Sequence, residues 1–208
     1  MRYRVIYAKR APLRYTSVLD MQAIWEQSIR RTGIDLEYTS GFHPQPRIQI
    51  ALPLPLGYTS TQEIIDFWTL ENILIQDFIP LLQKSVPTGI EIVSLQKIDN
   101  DKKSITNQIV HSDYELNVYH ENSHHLDLKE KIEALMQEKV IIRSRRNKEY
   151  DLRPLIIDLS IDDKNPTNIF MRLAAQPGKT GRPDEVAMAL GLNPADFTVE
   201  RIGIHFNY

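Results

Sequence analysis

The stretch Gly41–Gly57, GFHPQPRIQIALPLPLG, sets an aromatic ring, an imidazole and a guanidinium close together as Phe42, His43 and Arg47. Histidine titrates near neutrality and suits a general base or a metal ligand. An arginine fork grips phosphate, and Phe or His rings stack on unpaired bases. Pro44, Pro46, Pro53 and Pro55 hold this path extended, and a stiff loop loses little entropy on binding. The same prolines equally suit a rigid edge or crossing that serves only the fold, because proline cannot donate to a sheet ladder.

The densest basic element is RSRRNKEYDLR, with Arg143, Arg145, Arg146, Lys148 and Arg153. In a strand, Arg143 and Arg145 share one face and Arg146 takes the other. The element reads either as a charged hairpin that discourages edge pairing or as a phosphate-tracking ridge joined by Arg14, Arg30, Arg31 and Arg47. AAQPGKTGRPDE adds Lys179 and Arg182 ahead of a helix. Its glycines lack the spacing of a nucleotide-phosphate loop, which leaves simple anion capture at the helix start open.

The one dense histidine group, SHHLD, holds His124, His125 and Asp127. Neighbours at a helix start point in different directions, so the group reads as polar surface and no metal site is expected. No Ser/His/Asp order and no paired carboxylates stand out, and no cofactor is expected.

The 208 residues are 42% hydrophobic and 25% charged, as in ordinary globular domains. The chain has no cysteine, which excludes disulfides, thiolate zinc sites and thiolate-held iron–sulfur clusters and fits a reducing compartment. Charges run through MRYRVIYAKR, so no signal-peptide core is expected, and no apolar run reaches membrane-spanning length. A soluble, cytoplasmic protein without membrane contact is expected.

The formal net charge is −2. Residues 1–47 carry eight Lys/Arg against four Asp/Glu, residues 60–138 six against fourteen, and residues 139–208 eleven against nine. Basic ends flank an acidic middle, an arrangement that could serve a polyanion if the ends meet.

The elements that would position these groups alternate. RYRVIYAKR has strand periodicity, and SVLDMQAIWEQSIRRTG has a helix stripe of Val18, Met21, Trp25 and Ile29. Ser17 and Asp20 have capping-box spacing, and Gly33 can close the helix. DLEYT, RIQIALPL and STQEIIDFWTLE read as extended pieces. ILIQDFIPLLQKSV reads as a helix kinked or started near Pro80, and GIEIVSLQKI as a strand.

After the polar stretch DNDKKSITNQ the order nearly repeats. YELNVYH is a strand and LDLKEKIEALMQE a helix; KVIIRSRR, LRPLIIDLSID and NIFMRLAA are strands; RPDEVAMALG is a short helix and FTVERIGIHF the last strand. The expected fold is α+β: two tandem ferredoxin-like (βαββαβ) units with antiparallel sheets, residues 1–104 and 105–208.

Residues 13–57 carry a family resemblance. Leu13, Arg14, Tyr15, Ser17, Leu19 and Asp20, then Gly41, Phe42, Pro44, Pro46, Arg47, Ile48 and Pro53 to Gly57, resemble the bacterial radical-SAM-associated domain, a family of uncharacterised function. YDLRPLIIDL and RPDEVAMALGL look like weaker, later landmarks of that family.

Val18 stands where the family usually has histidine, and His43 where it usually has asparagine. An acid or base at the first of these positions is therefore closed to this chain. The resemblance implies a companion of a radical SAM enzyme, since the cluster-binding cysteines of such an enzyme are absent. The expected function is a non-catalytic accessory module that binds RNA (tRNA or rRNA), a radical SAM enzyme, or both. The alternatives are a metal-independent endoribonuclease with His43 as base, aided by Arg47 or Lys179, and a purely protein-binding scaffold.

Overall fold

A computed structural model describes residues 1–99, 103–119, 127–162 and 164–207. The described residues form mixed α+β structure with antiparallel sheets and four α-helices. The chain divides into two compact units, Met1–Ile109 and Val110–Tyr208.

In the first unit, strand β1 (Arg2–Lys9) alternates as its sequence demands. Tyr3, Val5 and Tyr7 point into an apolar core, while Arg2 and Arg4 share the opposite face. β1 pairs antiparallel with β3 (Thr59–Trp68) and β4 (Ile90–Ile98), and β3 pairs with β2 (Ile48–Ile50), giving the order β4-β1-β3-β2.

Helix α1 (Val18–Arg31) begins where Ser17 accepts the Asp20 amide at 3.2 Å and donates its hydroxyl to the Asp20 carboxylate at 2.6 Å. It ends at Thr32, followed by Gly33 at φ +83°. Its buried stripe of Met21, Trp25 and Ile29 meets β1, and the Tyr7 and Trp25 rings stand edge-on at 4.7 Å. Helix α2 (Ile75–Ser85) buries Phe78 and Leu82 on the same core. It runs through Pro80 instead of starting there, so that turn lacks one backbone donor.

Two extended pieces are shorter than their sequences suggest. RIQIALPL contributes only the three residues of β2, and DLEYT makes only isolated bridges at Leu36 and Tyr38. The prolines around them cannot donate to a ladder.

In the second unit, β5 (Ile109–Val118) pairs antiparallel with β9 (Asn165–Gln176), which also pairs with β8 (Ile156–Asp162) and the short β10 (Lys179–Thr180). β11 (Phe197–Phe206) lies on the other side of β5, giving β8-β9-β5-β11. Helix α3 (Leu128–Gln137), capped by Asp127 on the Glu130 amide, buries Leu128 and Ile132. Helix α4 (Pro183–Ala189) starts with proline and ends before Gly191 at φ +85°.

β6 (Ile142–Arg145) and β7 (Lys148–Asp151) form a separate hairpin. Arg146 is not a strand residue on the opposite face from Arg145. It and Asn147 take φ +50° and +61°, the two left-handed positions of a tight hairpin turn. His124 and His125 lie outside the described residues. No described helix is long and apolar enough to cross a membrane.

Candidate functional site

The proline-rich stretch of the first unit forms an excursion closed by the Thr39 amide on the Gln45 carbonyl, 2.8 Å, and a Tyr38–Pro46 bridge. Phe42 is wholly exposed at its tip and His43 is exposed beside it. His43 has no hydrogen-bond partner among the described residues, so no histidine–carboxylate pair forms there.

Arg47 is committed inward: it pairs with Glu37 and lies over the Trp68 ring at 4.4 Å. Arg30 pairs with Glu26 at 2.9 Å and with the Tyr38 hydroxyl and ring, and Arg31 donates to the Ser85 carbonyl at 3.3 Å. Arg14 is half-buried, with Gly57 donating to its carbonyl at 3.0 Å and its own Nε unpartnered among the described residues. In this unit Arg30 and Arg47 hold the loop to its own scaffold.

The basic hairpin of the second unit behaves differently. Arg143 is tied to Glu185 of α4 at 3.0 Å, which anchors the hairpin base. The side chains of Arg145, Arg146 and Lys148 are exposed around the turn and make no hydrogen bond or ion pair with any described residue. Arg153 instead donates to the carbonyls of Met136, Glu138 and Ile156.

Lys179 is exposed on β10, in a hairpin turned at Gly178 (φ +77°) and not in an open glycine loop. Arg182 forks onto Asp184 at 3.0 and 2.8 Å. Asp184 and Glu185 already occupy the first turn of α4, which removes the reason for an external anion to bind that end.

A second cluster, not anticipated from the sequence, stands on the sheet of this unit. Alternate residues of β5 are buried (Ser112, Tyr114, Leu116, Val118), which leaves His111, Asp113 and Glu115 on the other face. Asp113 accepts a fork from Arg172 at 2.8 and 2.8 Å, and His205 Nε2 lies 2.7 Å from Asp113 Oδ2. The His205 and His111 rings stack at 4.4 Å. Gly203 leaves room for this pair, since a Cβ there would approach His205 Nε2 to 3.2 Å.

Burial pushes the Asp113 carboxyl up, but the hydrogen bonds from Arg172 and His205 outweigh it and hold the carboxyl below its ordinary value. Burial, then the charges of His205 and Arg172, hold His111 below the ordinary histidine value. Arg172 is held above its ordinary value by its hydrogen bond to Asp113. Beside the cluster a groove of about 200 Å³ is lined by Asp113, Asp158, Phe170, Arg172 and Ile202. The signal for it was a charge inside each apolar strand: Asp113, with Glu115, in β5 and Arg172 alone in NIFMRLAA.

No group of three or more His, Asp or Glu among the described residues is arranged to hold a metal ion. The first unit has its own missed cluster. Fully buried Asp66 accepts from Arg2 at 2.9 and 2.5 Å and from Arg4 at 2.8 and 3.0 Å.

Fold and surface together define a two-unit α+β protein that carries three exposed cations, Arg145, Arg146 and Lys148, around one hairpin turn. The chain belongs to the family described as "Uncharacterized protein conserved in bacteria (DUF2344)", which matches residues 2–183. No curated protein matches the chain. Among solved structures it is similar to an unknown protein from Galdieria sulphuraria, 12% identical over 97% of this chain and 98% of that one, with a TM-score of 0.28.

Proposed function

We propose that this chain is a non-catalytic accessory module of two ferredoxin-like units that binds single-stranded RNA through the β6–β7 hairpin. The observation that carries the reading is the hairpin tip: Arg145, Arg146 and Lys148 are exposed with no described partner, on a turn whose base is pinned by the Arg143–Glu185 pair. Cations left free by their own fold are the ones that can replace counterions on a phosphate chain. The strand orders β4-β1-β3-β2 and β8-β9-β5-β11 support two ferredoxin-like units. The motif resemblance of residues 13–57 supports a radical SAM enzyme as the protein to which the RNA is presented, in a reducing cytoplasm.

The test is fluorescence anisotropy with a labelled oligouridylate across a salt series starting at about 50 mM, where phosphate contacts are strong. The triple variant Arg145→Ala/Arg146→Ala/Lys148→Ala should weaken binding and flatten the log K against log salt slope by about 2, at about 0.7 per phosphate contact on a single strand. Unchanged affinity and slope in that variant, or no binding by the unaltered protein at low salt, would refute the reading.

A further inference from the structure

We infer that the groove at Asp158, Phe170 and Arg172 is a base-reading site that takes an unpaired nucleobase presenting two adjacent N–H donors, as guanine does. This rests on the RNA-binding reading above and supplies what the hairpin lacks, since phosphate contacts position a strand and base contacts select it.

The groove holds two carboxylates, Asp113 and Asp158, against the single guanidinium of Arg172, so a phosphate is repelled from it. The Asp113 carboxylate is saturated by Arg172 and His205. Asp158 is not: it is exposed, has no described hydrogen-bond partner, and sits directly across from Arg172 in the β8–β9 register.

Arg172 spends Nε and Nη2 on Asp113, which locks its plane and leaves Nη1 without a described partner. Asp158 and Arg172 feel each other's charge, yet neither Asp158 nor Arg172 Nη1 is spent on a described hydrogen bond, so the groove offers an acceptor and a donor side by side. An amide-and-amine edge next to a carbonyl complements that pair: the N–H groups go to Asp158 and the carbonyl to Arg172. Guanine carries such an edge, whereas adenine reverses part of it and uracil has a single N–H.

Shape agrees with charge. About 200 Å³ equals roughly six or seven waters at about 30 Å³ each, a volume on the scale of a nucleobase. Phe170 and Ile202 give it apolar walls, and an aromatic ring stacks on any base. Phe170 is only half-buried, flanked in register by Glu115 and Ser160 on the neighbouring strands. Next to the groove, the His111 and His205 rings stack on each other, and Asp113 holds His205 in place. These groups are held by the sheet and by one another before any ligand arrives, so little order remains to be imposed on binding.

The test compares labelled alternating uridine–guanosine, uridine–adenosine and uridine–inosine oligoribonucleotides on the full chain by anisotropy, with circular dichroism confirming each variant's fold. The unaltered protein should bind the guanosine oligomer about tenfold more tightly than the adenosine one, as one well-formed bidentate base contact gives. Inosine, which lacks the exocyclic amine, should fall between them.

Asp158→Asn should erase the guanosine preference. Phe170→Leu, which keeps an apolar side chain, should weaken all three by about tenfold through lost stacking. Neither should alter the salt slope, whereas the hairpin variant should alter the slope and keep the preference. Equal binding of the three oligomers, or Asp158→Asn and Phe170→Leu behaving as the unaltered protein while the hairpin variant still loses affinity, overturns this site and leaves the hairpin reading standing. Absence of RNA binding by the unaltered protein overturns both.

Discussion

Replacing Asp66 by asparagine should unfold the first unit far more readily than its single-atom change suggests. The carboxylate is 0% exposed and accepts four hydrogen bonds from two guanidiniums that are themselves nearly buried. Asparagine keeps the volume but loses the charge and turns an NH2 toward one of the forks. Two cations then remain in a low-dielectric interior without their shared counter-charge. Breaking such a buried pair costs about 3–5 kcal/mol, and for a unit of this size that shifts the melting midpoint by more than about 10 °C.

The assay is urea unfolding followed by tryptophan fluorescence, excited selectively over tyrosine. Trp25 and Trp68, the only tryptophans of the chain, both lie in the first unit, so the signal reports that unit alone. The control is Glu37→Gln, which breaks the half-exposed pair with Arg47 and should cost no more than about 1 kcal/mol. If Asp66→Asn also costs about 1 kcal/mol or less, the buried-charge reasoning is wrong.

Two further outcomes follow from the second unit. His111 is held below its ordinary value of 6.5, so the folded state prefers it neutral. Its contribution is full above about 6.5 and is lost as pH falls through the lower folded value, because there the unfolded chain binds more protons. Stability measured by urea midpoint should therefore decline below about pH 6.5, and His111→Gln should flatten that decline; an unaltered profile would contradict the assignment. Gly181→Ala should destabilise by about 1–3 kcal/mol, since the new Cβ would sit 2.9 Å from the Leu155 carbonyl oxygen and 3.0 Å from Leu173 Cβ. Calorimetric melting of the variant checks it, and a loss under about 0.5 kcal/mol would show that the strands yield.

The local elements were legible because their signals are local. The cap of α1, its stripe and its closing glycine are read from residues within a few positions of one another, and Ser17, Trp25 and Gly33 take the places their spacing requires. Strand alternation in β1 placed Tyr3, Val5 and Tyr7 inside in the same way. Proline-rich segments were harder. RIQIALPL looks extended, but how much of it joins a ladder depends on the partner strand, and only Ile48–Ile50 does.

The candidate sites divide on the same line. From its sequence alone this protein has the basic hairpin segment, the absence of thiol chemistry and a family motif over residues 13–57. Which cations remain free was decided by tertiary structure: Arg30, Arg47, Arg143 and Arg182 find acidic partners, and Arg145, Arg146 and Lys148 find none that is described. The same holds for Asp113, Arg172 and His205, which lie 59 and 92 residues apart from Asp113 along the chain yet meet within 2.8 Å. Side-chain type and short-range period are properties of neighbouring residues, whereas pairing depends on strand register, and register is set only when distant strands are brought together.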